Sequence, residues 1–550
     1  MSDRMSAATH GSASGPAADH DVVIIGAGFA GLYQLHRLRR LGFDARVIEA
    51  GDDVGGTWYW NRYPGARCDV ESIQYSYSFD PELEQEWDWS ERYAAQPELL
   101  SYARHVADRY GLRPDITFGT RVERLEWDED ARRWTVTTDD GGSRTARYVI
   151  AATGCLSVPS RPAFEGLADF SGEVYWTSRW PHEDVDLAGK RVAVVGTGSS
   201  GLQTITAIAP VVGELTVFQR TPSYAVPAHN GPIGERLAEA RTHYPELRER
   251  SRMSRTGFQC PGPDGAGSLL AAEPDEVRRE FDKRWADGGL CFSSAYKDIL
   301  RDPRANEAAA EYVRGRIREK VADPVLAEKL SPRTYPIASK RMCVDTGYFE
   351  VYNQDNVSLV DLTEQPVRRI GARGIVTGGD GDEQEHVFDV IIFATGFDAM
   401  TGALNAMDIR GGEGRSLRGK WAHGPRTYLG LMSAGFPNLF MVTGPQSPSV
   451  LSNMMTSIEY HVDWITRALE HLRTHGLTRM EAAPEAEDNW VNTTNDLAAL
   501  TLMPQAASWY MGANVPGKQR VFMPFIGGVG TYRQIGDGVA VAHYHGFELA

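Results

Sequence analysis

The chain shows two hydrophobic rhythms. From Asp21, Val22-Val23-Ile24-Ile25 forms an unbroken apolar run of strand length, followed by a glycine-rich turn, a helix-spaced run from Leu32 to Leu41 and a second apolar run from Ala45 to Ile48. Apolar runs without polar alternation mark strands covered on both faces, so this order predicts a βαβ unit. Residues 116–150 alternate instead, through Trp134-Thr135-Val136-Thr137-Thr138, the turn Asp139-Asp140-Gly141-Gly142 and Tyr148-Val149-Ile150-Ala151. That alternation predicts a β-meander capping the first unit.

The strand–turn–helix–strand plan returns from Arg191-Val192-Ala193-Val194-Val195 to Glu214-Leu215-Thr216-Val217-Phe218, so two nucleotide sites are the simplest meaning. Residues 229–334 break the plan: Glu276 to Trp285 and Asn306 to Val321 have helical spacing and dense opposite charges, which predicts a helical insertion. Strand character resumes at Val357 to Val360 and Asp389 to Phe393. The expected fold is α/β, with two Rossmann-like dinucleotide-binding domains and the insertion within the second.

Composition narrows the function classes. At 550 residues the chain has room for three or so domains. Its 57 basic and 73 acidic residues give a net charge of -16, which repels phosphate backbones and anionic lipid, so neither nucleic acid nor membrane is an expected partner. Five scattered cysteines, Cys68, Cys155, Cys260, Cys291 and Cys343, include no Cys-x-x-Cys pair, and the chain reads as reduced and cytoplasmic. No apolar run has membrane-spanning length. Residues 1–20 read as a disordered leader.

Gly26-Ala27-Gly28-Phe29-Ala30-Gly31 fits G-x-G-x-x-G between a strand and a helix, where glycines allow a pyrophosphate to approach the helix amides. Glu49, at the end of the next strand, suits ribose hydroxyls, so FAD or NAD is expected here. Gly196-Thr197-Gly198-Ser199-Ser200-Gly201 repeats the fingerprint, but its following strand ends in Arg220 and Thr221. An arginine there suits a 2′-phosphate, hence NADPH. Ala152-Thr153-Gly154 and Ala394-Thr395-Gly396 each follow an apolar strand.

The most specific segment runs from Gly55-Gly56-Thr57-Trp58 through Tyr63-Pro64-Gly65 to Arg67-Cys68-Asp69. It resembles the motif of Baeyer–Villiger monooxygenases, in the branch of the phenylacetone and steroid enzymes. The resemblance continues in Ser339-Lys340-Arg341, Ala394 to Asp398, Gly444-Pro445, Ser452-Asn453-Met454 and Trp509 to Lys518. The family pattern F-x-G-x-x-x-H-x-x-x-W-P reads here from Phe170 to Trp180-Pro181 with Trp176 at the histidine position. Tryptophan cannot take up a proton as histidine can. His182 lies just past it.

The resemblance implies FAD at 21–155 and 385–550, the latter with a C-terminal segment, and NADP at 156–228 and 335–384, with 229–334 inserted. It implies that NADPH reduces FAD, that reduced flavin and O₂ give a C4a-peroxide, and that this attacks a ketone to leave an ester or lactone. Arg341 would be the fixed cation and Asp69 its anchor. Thr57, Trp58, Asp69, Tyr75, Val122 and Met454 would line FAD. Arg67, Cys68, the turn from Thr197 through Ser199, Ser200 and Gly201 to Gln203, Arg220, Thr221, Lys340, Arg341 and Trp509 would serve NADP. The substrate would be a bulky or cyclic ketone with O₂, and the protein a monomer or weak homo-oligomer. Competing expectations are a nitrogen- or sulfur-oxygenating relative and an NADPH-binding sensor.

Overall fold

The computed structural model describes residues 18–260, 267–379 and 381–550. The chain opens with β1 (His20–Ile25), α1 (Phe29–Arg40) and β2 (Ala45–Ile48), then runs through β3 (Ile116–Thr117) into the meander β4 (Val122–Asp128), β5 (Arg133–Thr138) and β6 (Ser143–Ala151). A second unit begins at β7 (Glu173–Trp176), β8 (Arg191–Val195), α2 (Ser199–Ile208) and β9 (Glu214–Gln219). After five helices between Gly234 and Leu330, β10 (Val357–Asp361) and β11 (Val390–Phe393) complete that unit. The chain then returns through β12 (Asp408–Arg410) and β13 (Leu439–Met441) and enters the long helix α3 (Met454–Thr474).

The first sheet has the order β12-β4-β5-β6-β1-β2-β3, with β13 also on β6. β1 lies parallel to β2 and to β6, with Val22 opposite both Ala45 and Tyr148. Strand alternation sends Val22 and Ile24 into the core with α1 and α3, whereas Val23 and Ile25 join Trp127 and Trp134 of the meander. This explains the unbroken apolar run: both faces of β1 are covered.

The second sheet, β10-β9-β8-β11-β7, repeats the device. Val192 and Val194 face the core shared with α2 and the inserted helices, and Ala193 and Val195 face the opposite side with Phe393. Ala309, Val313 and Ile317 carry the insertion's longest helix, Pro303–Lys320, onto that first core. The insertion therefore shares a core with the second unit instead of forming one of its own.

Two sequence expectations need correction. Asp19 and His20 belong to the fold: His20 pairs with Ala146, and the Asp19 carboxylate accepts from Thr145. The rest of the expected leader, residues 1–17, lies outside the described residues. The expectation of five reduced cysteines also fails, because Cys260 and Cys291 form a disulfide while Cys68, Cys155 and Cys343 stay free and buried. The bridged pair is separated by 31 residues, too far for any local motif to announce it. Closing a loop of that length stabilises by about 3–4 kcal/mol in the chain-entropy description. Denatured protein prepared without reductant is accordingly expected to titrate three thiols; five would contradict the bridge.

Candidate active site

The two glycine turns are built alike, and the structure gives each glycine its own reason. A Cβ on Gly26 would sit 2.7 Å from the Ala152 carbonyl oxygen, and one on Gly196 2.5 Å from that of Ala394. The paired Ala-Thr-Gly segments thus form the backs of the two turns, a role their sequence alone did not disclose. A Cβ on Gly31 would meet the Gly26 oxygen at 1.8 Å and one on Gly201 the Gly196 oxygen at 2.1 Å, so both glycines let helix and strand touch. Gly198 has open space at its Cβ position. Gly28 faces Gly56, and a Cβ on Gly56 would lie 2.8 Å from the Gly28 Cα.

Gly28 and Gly198 are the N-caps of α1 and α2, and neither helix end carries a side-chain cap. Their first amides are left for an external acceptor, which fits a dinucleotide pyrophosphate. Glu49 is buried, and its carboxylate accepts from the amides of Ala27 at 2.6 Å and Gly51 at 2.7 Å. Burial raises its pKa, opposed by those amides. It braces the first turn, and each oxygen keeps lone-pair capacity for ribose hydroxyls.

Around the first turn, Trp58 and Tyr75 are buried together, with the indole donating to the Tyr75 hydroxyl at 3.3 Å. Thr57 is exposed at the start of the helix Thr57–Trp60. Val122 opens β4 in the core, and Met454 is half-buried at the start of α3.

The second turn is tied to the first unit. Gln203 of α2 accepts from the Tyr63 hydroxyl at 2.8 Å and donates to the Arg67 carbonyl at 3.1 Å, while Gly65 packs against the Gln203 backbone. Arg67 itself is held by Glu91 at 3.0 Å. Thr197 donates to the Thr221 carbonyl, Ser199 meets the Cys343 sulfur at 3.5 Å, and Ser200 is half-buried beside them. Cys68 is buried, which pushes its thiol pKa far up, so it is inert.

Beyond this turn, Arg220 is exposed and Lys340 half-buried over the Tyr335 ring, its Nζ 4.3 Å from the centroid. Burial, then the charge of Arg220, lowers the Lys340 pKa. Two cations held close with no carboxylate bonded to either among the described residues fit a phosphate.

Arg341 meets Asp69 face to face, with Nε to Oδ2 at 2.5 Å and Nη2 to Oδ1 at 2.8 Å. Its Nη1 donates to the Val450 carbonyl at 2.8 Å. Asp69 and the Val450 carbonyl take three of its five guanidinium N–H groups, and the Tyr510 hydroxyl also lies within its reach. Burial opposes the charge, but the Asp69 carboxylate outweighs it and holds the Arg341 pKa above its ordinary value. Arg341 opens onto a cavity with apolar walls from Phe258, Leu290, Leu451, Met503, Phe525 and Ile526 and polar ones from Arg255, Thr256, Ser293, Ser294 and Lys340.

Tyr510 also lines this cavity, whereas Trp509 is half-buried with its ring tilted against Tyr510, the centroids 4.3 Å apart. Sequence reasoning chose Trp509 and missed its neighbour, although adjacent residues in a tight turn point apart. It also missed Phe258 and Leu290, the wall supplied by the insertion. Trp176 stacks on Phe393, and His182 lies against Tyr59 instead, at 4.9 Å.

The family model described as pyridine nucleotide-disulphide oxidoreductase matches residues 20–243. A Baeyer-Villiger monooxygenase of Pseudooceanicola batsensis is 42% identical over 94% of this chain and 94% of its own length. Phenazine N-monooxygenase PhzNO1 of Lysobacter antibioticus is 41% identical over 96% of this chain and 97% of its own length. Among solved structures, an oxidized steroid monooxygenase bound to NADP is 50% identical, with a TM-score of 0.91, over 96% of this chain and 99% of that one.

Proposed function

The chain belongs to the Baeyer–Villiger monooxygenases, and from that premise we propose that it inserts one atom of O₂ beside the carbonyl of a bulky or cyclic ketone. It is an FAD- and NADPH-dependent enzyme whose products are esters or lactones. The observation that carries the assignment is the bidentate Arg341–Asp69 pair, with Arg341 opening onto a cavity walled in part by apolar side chains. Bound FAD, reduced by NADPH, supplies the oxygen transfer.

The chain's own residues do the rest. The 21–155 and 385–550 segments hold FAD, with Gly26, Gly28 and Gly31 at its pyrophosphate, Glu49 at its ribose and Trp58, Tyr75 and Met454 around it. The 156–228 and 335–384 segments hold NADP, with Arg220, Thr221 and Lys340 at the 2′-phosphate. The N–H groups of Arg341 not taken by Asp69 and the Val450 carbonyl stabilise negative charge at the reacting oxygens, and Asp69 fixes their direction. Permanent charge matters here, since guanidinium stays protonated at any working pH. The side chains of Phe258, Leu290, Leu451 and Phe525 give an apolar ketone a surface to lie against beside Arg341. No described helix is long and apolar enough to cross a membrane.

A relative named for nitrogen oxygenation is as similar as several named for ketones, so substrate class is the point to test. A panel of cyclohexanone, phenylacetone, a steroid ketone, a thioether and phenazine, followed by product analysis, is expected to give lactone or ester from the larger ketones. Oxygenation of the thioether or phenazine alone would overturn the proposal.

A further inference from the structure

Arg341 and Asp69 form one ion pair but face two cavities. Arg341 opens onto the cavity already described, and Asp69 onto a smaller one lined also by Glu71, Gln74, Arg92 and Tyr93. The smaller cavity is polar, with Glu71 and Arg92 paired across it at 2.6 Å. Phe258 and Leu290 line both cavities, so these two side chains form the partition between them.

Each half of that partition stands next to a bridged cysteine. Phe258 lies two residues before Cys260, and Leu290 directly precedes Cys291 in the turn Gly289–Ser294. The Phe258 segment belongs to the first unit's core and is held from that side: the Gln259 amide donates to the Gln74 side chain at 2.6 Å, the Asn453 amide to the Thr256 carbonyl at 2.7 Å and the Thr456 hydroxyl to the Gly257 carbonyl at 2.8 Å. The Leu290 turn is rooted elsewhere, since Phe292 packs in the second unit's core with its ring 5.2 Å from that of Phe281. Two pieces of wall with separate roots are therefore joined by one covalent bond, which holds the Cys260 and Cys291 Cα atoms 5.4 Å apart. Apolar packing is non-directional and would let the two halves part.

We propose that the Cys260–Cys291 bridge is a specificity determinant of the ketone cavity, clamping Phe258 and Leu290 together so that a small ring is gripped beside Arg341. This rests on the functional reading above and extends it to substrate size. A small ketone held at Arg341 depends on the partition, whereas a larger one also reaches Leu451, Met503 and Phe525. The clamp is reducible. A dithiol would give two electrons and two protons to the Cys260–Cys291 bond, leaving two thiols on the protein and becoming a disulfide itself. Cys260 is half-buried and gives the reductant a way in, while Cys68, Cys155 and Cys343 are already free thiols, so the bridge is the one bond it can break.

The test is steady-state ketone oxygenation at saturating NADPH over a series of cyclic ketones from cyclopentanone to cyclododecanone. Three forms are compared: wild type, the double variant Cys260→Ser with Cys291→Ser, and wild type reduced with dithiothreitol and desalted, with thiols counted by alkylation and mass spectrometry. Breaking the bridge is expected to raise the KM of the smallest ketone accepted by about 10-fold, the low end of what one methylene-sized contact in an apolar pocket is worth. The KM of the largest is expected to change less than threefold, and kcat for both less than threefold, because Arg341 and Asp69 keep their own bonds. Reoxidation of the reduced enzyme is expected to restore the wild-type KM values. A merely structural bridge would lower the melting temperature and leave the ratio of the two KM values unchanged. Should the double variant fail to fold, the reduced wild type decides. An unchanged ratio after reduction, or Cys260 and Cys291 both alkylated in untreated protein, would overturn this proposal alone. A wild type that oxygenates no ketone would overturn the functional reading and this one with it.

Discussion

Arg341→Ala and Arg341→Lys are each expected to lower kcat for ketone oxygenation by about 10²–10³-fold, the usual loss when a donor to a developing oxyanion is removed. Alanine removes the donors outright. Lysine keeps a charge but cannot span both Asp69 oxygens, which Nε and Nη2 meet at 2.5 and 2.8 Å, while offering two further N–H groups to the reacting atoms. NADPH oxidation is expected to continue in both variants and to yield hydrogen peroxide in place of ester, because among the described residues Arg341 is held by Asp69, the Val450 carbonyl and Tyr510, outside both glycine turns. Gas-chromatographic product yield set against peroxide yield measures the split. An Arg341→Lys enzyme within threefold of wild type would contradict the assigned role.

The second large effect concerns cofactor choice. Arg220→Ala with Lys340→Ala is expected to raise the KM for NADPH by roughly 100-fold, each charge-assisted phosphate bond being worth about 1.5–3 kcal/mol, while leaving the KM for NADH within a few-fold. The argument is electrostatic. Lys340 is half-buried and feels Arg220, and both effects press it toward neutrality. A 2′-phosphate reverses that pressure. Since the Lys340 pKa lies below the ordinary lysine value, NADPH affinity in the wild type is expected to start falling at a lower pH than an ordinary lysine would give. A double variant with an unchanged NADPH to NADH ratio would remove these residues from the site.

Much of the scaffold was legible because it is written locally. A strand, a glycine turn and a helix are contiguous, and Gly26, Gly31, Gly196 and Gly201 are each forced by a contact within a few residues or with the end of one neighbouring strand. The Arg341–Asp69 pair is different: 272 residues separate the partners, and neither position is distinctive without the motif around it. The cavity is harder still. Its walls come from the insertion, from the 448–451 loop and from the C-terminal segment, and apolar residues drawn singly from distant loops leave no spacing to read. Tyr510 was hidden behind its conspicuous neighbour Trp509. The Cys260–Cys291 bridge and the stack of Phe164, Phe393 and Trp176 also depend on tertiary proximity alone. Trp176 was visible in the sequence as a departure, and the structure supplies its surroundings: the Phe393 ring and the Arg161 guanidinium.

The central claim is that oxygen from O₂ enters a ketone at Arg341, driven by NADPH. Turnover of a cyclic ketone under ¹⁸O₂ tests it most directly, with mass spectrometry locating the label and NADPH counted alongside. The account predicts one ¹⁸O atom in the lactone, at the ring oxygen, with one NADPH consumed per labelled product. An unlabelled lactone, or a ketone recovered intact while label enters only nitrogen or sulfur compounds, would contradict it.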